Sequence, residues 1–112
     1  MIDQLNIFVS LYKNRPIKNN SHGMKFPHMF AVFFILRKLK PNLVIESGVY
    51  RGQSTWLIEK ALPDAEILSI DINLNQREYI SSNAKYSNLD FKYQDFSKIP
   101  DNTLVFFDDH QP

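Results

Sequence analysis

Two of the chain's three glycines, Gly48 and Gly52, fall in LVIESGVYRGQST (residues 43–55), where a short apolar run gives way to a helical pattern. Glycine at such a junction lets the backbone pass close to a ligand, and the first N–H groups of the following helix point toward it. Asp71 closes the next apolar run, ILSID. A carboxylate at a strand tip can accept both hydroxyls of a ribose; the alternative is a helix-capping aspartate. Asp95 and Phe96 follow a third patterned stretch, where the plainer reading is a surface aspartate opening a turn over residues 97–100. A fourth run leads into Asp108-Asp109-His110. There His110 could serve as a general base, with Asp109 or Asp108 orienting it or holding an oxygen-preferring cation. A histidine capping a strand end is the simpler alternative. His22 and Gly23, in an earlier loop, could cover a ligand, whereas His28 beside an apolar helix start reads as structural.

These residues need a scaffold that brings them together. Ile2, Leu5, Phe8, Val9 and Tyr12 recur at helical spacing, so residues 2–12 form a helix with one apolar stripe. Residues 13–23, KNRPIKNNSHG, make an irregular loop, and residues 26–39 a second helix ended by Lys40-Pro41. Strands are expected at 43–45, 67–70, 89–93 and 103–107, with helices at 53–62 and 75–86 between them. Alternating strands and helices imply right-handed crossovers and a mainly parallel sheet with helices on both faces. Runs 43–45 and 104–107 are continuously apolar, as interior strands are, while Leu89-Asp90-Phe91-Lys92-Tyr93 alternates and belongs at an edge. The expected fold class is therefore α/β, a doubly wound mainly parallel sheet. Residues 1–40 form an N-terminal helical segment of two helices, and residues 41–112 a partial nucleotide-binding sheet domain that stops after its fourth strand.

The spacing Glu46-x-Gly48-x-x-x-Gly52, with Asp71 and Asp95 at two later strand ends, resembles the signature of class I S-adenosylmethionine-dependent methyltransferases, specifically their N-terminal, cofactor-binding half. That resemblance implies a Rossmann-like fold and S-adenosylmethionine as cofactor. It gives Glu46, Gly48 and Gly52 the methionine end, with Glu46 reaching the amino group, and Asp71 the ribose. Asp95 then accepts from the adenine amino group while the Phe96 backbone meets the ring. Some members similar to this sequence carry Asp-Gly-Asp-His at the fourth strand tip and bind a divalent metal such as magnesium. Here the match departs, with Phe107 and Asp108 in the first two of those places, which counts against the metal; Asp108 and Asp109 are the candidate metal ligands and Asp109 and His110 the catalytic pair that the resemblance implies. The implied activity is methyl transfer to a small-molecule acceptor, by oxygen methylation. A nicotinamide-dependent oxidoreductase remains a rival, although the turn lacks the glycine triplet that chemistry uses. A non-catalytic cofactor-binding or oligomerising remnant of the fold is another.

Composition bounds the rest. With 112 residues, 44% hydrophobic, nine Phe, five Tyr and one Trp, the chain has material for one modest core. Without cysteine it has no disulfide or thiolate metal site. The apolar run at 29–36 is far shorter than a membrane span, and no secretory signal is evident, so a cytoplasmic, soluble protein is expected. Seven Lys/Arg against Asp3 alone lie up to Lys40, and six basic against eleven acidic residues follow. This asymmetry suits solvated helix flanks, or an anionic partner near the N-terminal part. No dense basic run with interleaved aromatics indicates nucleic acid. An apolar fourth strand with no fifth beside it predicts a homo-oligomer through the fourth-strand edge.

Overall fold

The computed structural model describes residues 2–20 and 23–107. Two helices, α1 (Ile2–Lys13) and α2 (Phe26–Leu39), precede β1 (Leu43–Ser47), α3 (Gln53–Ala61), β2 (Glu66–Ile70), β3 (Ala84–Ser87) and β4 (Thr103–Phe107). Short 3-10 turns occupy Leu74–Gln76 and Phe91–Tyr93. The sheet runs β3-β2-β1-β4, all parallel, with Val44 opposite Ile67 and Leu104, and Ile67 opposite Ala84. β1 and β2 are thus interior, while the apolar run at 104–107, which reads as an interior strand in sequence, forms an edge of the described sheet.

Alternation along the strands separates two faces. Val44, Ile67, Leu104 and Phe106 join Phe8, Met29, Phe33, Leu36, Trp56, Leu57 and Ile58 in one cluster, so α1, α2 and α3 share a single core against that face. Burying each of these large side chains contributes about 1.5–3 kcal/mol. Lys40 ends α2 in the left-handed region at φ 49°, its N–H donating to Leu36 O, and Pro41 prevents continuation. The other face carries Leu43, Ile45, Leu68 and Ile70, with Phe91 and Phe96 packed against them. Among the described residues no α-helix covers it, so the expected helices on both faces are found on one. Val105 and Phe107 point to this second face and stay 40% and 60% exposed.

The segment after β2 departs from expectation. Instead of a helix over residues 75–86, the chain forms one 3-10 turn and then an irregular strap to residue 83. The N–H groups of Glu78 and Tyr79 donate to Arg51 O, at 2.8 and 3.0 Å, rather than back along a helix. Ser81, Ser82 and Asn83 are poor helix formers, and the Ser81 hydroxyl instead donates to Glu59 and accepts from Asn83 N. The third strand is accordingly Ala84–Ser87, not residues 89–93. It does lie at the sheet edge. Asp90 stops any strand over 89–93, because its carboxylate accepts from Lys92 N and starts the 3-10 turn that folds Phe91 onto the second face.

Candidate functional site

The site is built around the link from β1 to α3, Gly-Val-Tyr-Arg-Gly at residues 48–52. Gly48 and Gly52 have φ of 99° and 104°, and Tyr50 between them is held at 52°. Glycine meets such angles at little cost; tyrosine does so only where its surroundings impose them. At Gly52 space matters as well, since a Cβ would fall 2.3 Å from Tyr79 O.

Asp71, just past β2, supplies much of that constraint. Its Oδ2 accepts from Val49 N at 2.8 Å and Tyr50 N at 3.1 Å, and its Oδ1 from Asn73 N at 2.9 Å. On the other side the strap binds Arg51 O, and the Arg51 guanidinium pairs with Glu78 at 3.1 Å and donates to Asn19 O at 2.8 Å. The buried Gln53 amide bonds Ile17 through both its atoms, at 3.2 and 3.0 Å, and so docks the loop after α1 beside the turn.

Below the turn lies a crevice of about 280 Å³ at the carboxyl ends of the strands, lined by Ser47, Ile70, Asp71, Ile72, Asp90, Phe91, Lys92 and Phe107. Ligands of open α/β sheets bind at this end. A hollow of about 540 Å³ between Arg37, Lys40 and Pro63 sits at the amino ends instead, away from the turn.

The expected site residues divide. Gly48, Gly52 and Asp71 meet at the turn, and Asp71 also lines the crevice. Glu46 is fully buried on the helix face, where its carboxylate accepts from Ser54 Oγ, from Thr55 Oγ1 at 2.6 Å and from Ser69 Oγ at 2.7 Å. It underpins the first turn of α3, where the helix dipole favours an anion. Asp95 is exposed, away from the crevice lining, and caps Ser97 N at 3.0 Å; that bond holds its carboxyl below the ordinary carboxylate range. Phe96 packs on Phe91, ring centroids 4.9 Å apart, within the second-face cluster. His22, Asp108, Asp109 and His110 lie outside the described residues. Among those described, no group of three acidic or histidine side chains could hold a metal.

Sequence reasoning passed over Asp90, Phe91, Lys92 and Phe107. The displaced third strand accounts for two of them: Asp90 and Phe91 stand at its tip, the place given in sequence to Asp95 and Phe96. A separate network lies behind the site. The Tyr79 hydroxyl donates to Glu59, and Tyr86 Oη accepts from Ser81 N at 2.9 Å. Burial, then Glu59, raises the Tyr79 phenol well above its usual range, and burial raises Tyr86.

No family model and no curated protein sequence matches this chain. Its fold does match solved structures. CmcI with bound SAH superposes with a TM-score of 0.67 at 20% identity, over 79% of this chain and 50% of that one. CmcI with Mg and SAM gives 0.59 at 22%, over 77% and 42%. The SAH-bound Podospora anserina methyltransferase PaMTH1 gives 0.53 at 19%, over 76% and 41%. The chain therefore has the α/β fold of S-adenosylmethionine-dependent methyltransferases. It spans half the length, or less, of the chains it matches.

Proposed function

We propose that this chain binds S-adenosylmethionine across its strand tips and serves methyl transfer to a small-molecule acceptor, by oxygen methylation. The observation that carries the reading is the left-handed glycine turn clamped by Asp71 at the mouth of the strand-tip crevice, in a fold shared with SAH-bound structures. The residues present fit the cofactor. Asp71 accepts three N–H groups and keeps one lone pair, on Oδ1, for a ribose hydroxyl, and Ile72 and Phe91 offer apolar walls to a purine. Gly48 brings backbone without a side chain to the methionine end.

When bound, the cofactor supplies an electrophilic methyl group on a sulfonium sulfur. The chain's part is to align the acceptor and remove its proton, and positioning provides much of the acceleration. His110, oriented by Asp109, takes the hydroxyl proton on an imidazole nitrogen. Asp108 and Asp109 would hold a divalent cation such as magnesium through oxygen ligands. These residues directly follow Phe107, which lines the crevice. The protein is further proposed to be cytoplasmic and to act without nucleic acid. None of its described helices is long and apolar enough to cross a membrane. A second copy is proposed to pair with the outer edge of β4, giving a homo-oligomer; light scattering at micromolar concentration that shows only monomer would refute that.

Thermal unfolding with S-adenosylmethionine, S-adenosylhomocysteine and NAD tests the central claim. A ligand at 100 times its Kd stabilises the native state by about 2.7 kcal/mol. The first two should raise the midpoint by several degrees and NAD should not. No shift with either sulfur ligand, or a shift with NAD alone, refutes the reading. Binding without methyl transfer to any hydroxylated acceptor would leave a non-catalytic cofactor-binding module.

A further inference from the structure

The loop that docks beside the glycine turn contains a polar atom with nothing to bind. Asn20 Oδ1 is buried and has no hydrogen-bond partner among the described residues. Buried carbonyl oxygens without a donor are rare, because desolvation is uncompensated, and each calls for a physical explanation. Its position is not accidental slack. The Gly23 N–H donates to Asn20 O at 3.0 Å, and a Cβ on Gly23 would fall 2.0 Å from Asn20 Nδ2, so glycine is what allows the amide to fold inward. Gln53 and Arg51 fasten the preceding residues to the start of α3.

The amide borders a small recess of about 10 Å³ whose wall includes Val49, Tyr50, Arg51, Gln53 and Ser54, the Arg51 charge being paired with Glu78. That is room for one water or one ammonium group. The donors around this recess are already committed: Ser54 Oγ to buried Glu46, Gln53 Nε2 to Ile17 O, Arg51 to Glu78 and Asn19 O, and Val49 N and Tyr50 N to Asp71. A group entering here must donate. The recess lies across the turn from the crevice that Asp71 lines. A cofactor whose ribose sits on Asp71 would carry its other end over Gly48 toward Val49 and Tyr50.

The geometry points to Asn20 as a ligand-binding residue whose Oδ1 accepts from the ammonium of the cofactor's α-amino-acid end. The inference rests on the S-adenosylmethionine reading above. It specifies a residue outside the glycine motif and a chemical class, an amino-acid ammonium, for this recess.

Calorimetry with two probes tests it: S-adenosylhomocysteine, which has the amino-acid end, and 5′-methylthioadenosine, which lacks it. Asn20→Leu should weaken S-adenosylhomocysteine by roughly 10- to 100-fold, the range for losing a hydrogen bond to a charged group, and leave methylthioadenosine unchanged. Asn20→Asp, which keeps an acceptor, should retain binding of both. The leucine variant should unfold no earlier than wild type, because Oδ1 contributes no hydrogen bond to the folded chain. An equal loss for both probes, or no loss for either, overturns the role of Asn20 while leaving the cofactor reading intact. If wild type binds neither probe, the cofactor reading fails first and this inference with it.

Discussion

Replacing Asp71 with alanine removes two functions at once, and their sizes can be separated. In the folded chain its Oδ2 holds Val49 N and Tyr50 N at 2.8 and 3.1 Å. Hydrogen bonds to a charged acceptor contribute about 1.5–3 kcal/mol each. Asp71 is only half-buried and water can reach the freed N–H groups, so we assign the two bonds together about 2–3 kcal/mol. For a domain near this size 1 kcal/mol moves the unfolding midpoint by roughly 4–8 °C. Asp71→Ala should therefore unfold roughly 8–24 °C early and show no S-adenosylhomocysteine binding by calorimetry. Loss of binding could follow from a collapsed turn alone, because Tyr50 at φ 52° depends on its clamp. Asp71→Asn separates the two effects. Its amide oxygen can still accept from Val49 and Tyr50, at the cost of the Asn73 bond, so much of the stability should survive while ribose recognition falls. Unchanged affinity in Asp71→Ala would refute the ribose assignment, and an unchanged midpoint would refute the clamp.

Gly48→Val must enter a backbone conformation at φ 99° that side chains rarely adopt, so it should lose ligand response and about 1–3 kcal/mol of stability; an unaltered thermal shift with ligand removes the case for a binding turn. Gly52→Ala faces the same backbone and a 2.3 Å contact with Tyr79 O, so urea unfolding should show a larger loss than a surface Ala substitution, and equality would contradict the packing. Asp90→Asn and Asp95→Asn compare the two candidates for the third-strand tip: crevice geometry predicts weaker S-adenosylhomocysteine binding for the first alone, and the sequence resemblance predicts the reverse. Tyr79 and Tyr86 have phenol pKa values raised in the folded chain, so their contribution to stability is complete below about pH 10 and is lost as pH climbs through the folded values. Urea midpoints should fall above that pH, less steeply in Tyr79→Phe; the same fall in that variant as in wild type would show that burial and Glu59 do not raise the Tyr79 phenol.

The parts of the fold that sequence pattern reveals are those whose hydrogen bonds and burial are local. Continuous apolar runs mark β1, β2 and β4, helical spacing marks α1 to α3, and paired glycines mark the turn. Asp71 was legible because it closes an apolar run. The segment from Leu74 to Tyr93 was not, because its partners come from elsewhere: the Arg51 carbonyl takes the N–H groups that would have built a helix, and Glu59 on α3 holds Tyr79 and Ser81. The alternation at residues 89–93 is real, yet Asp90 caps its own neighbour and turns the pattern into a 3-10 segment. Glu46 shows the same limit at the site. Its position before Gly48 fits a ligand-facing carboxylate, but the three hydroxyls that enclose it come from α3 and β2, which only the tertiary structure brings together.

This arrangement also bears on the choice between ligand classes. A dinucleotide places a doubly charged pyrophosphate on the N–H groups of the first glycine turn. Here two of those donors, Val49 N and Tyr50 N, are already engaged by Asp71, and the crevice below presents the carboxylates of Asp71 and Asp90 against the single cation of Lys92 among its described lining residues. A pyrophosphate would have to displace an anionic acceptor and then sit beside two like charges. A ligand that brings a hydroxyl donor to the remaining lone pair of Asp71 Oδ1 and a positive sulfonium near the turn meets no such opposition. The electrostatics of the turn therefore favour a sulfonium nucleoside over a nicotinamide dinucleotide, for a reason the glycine spacing alone does not contain.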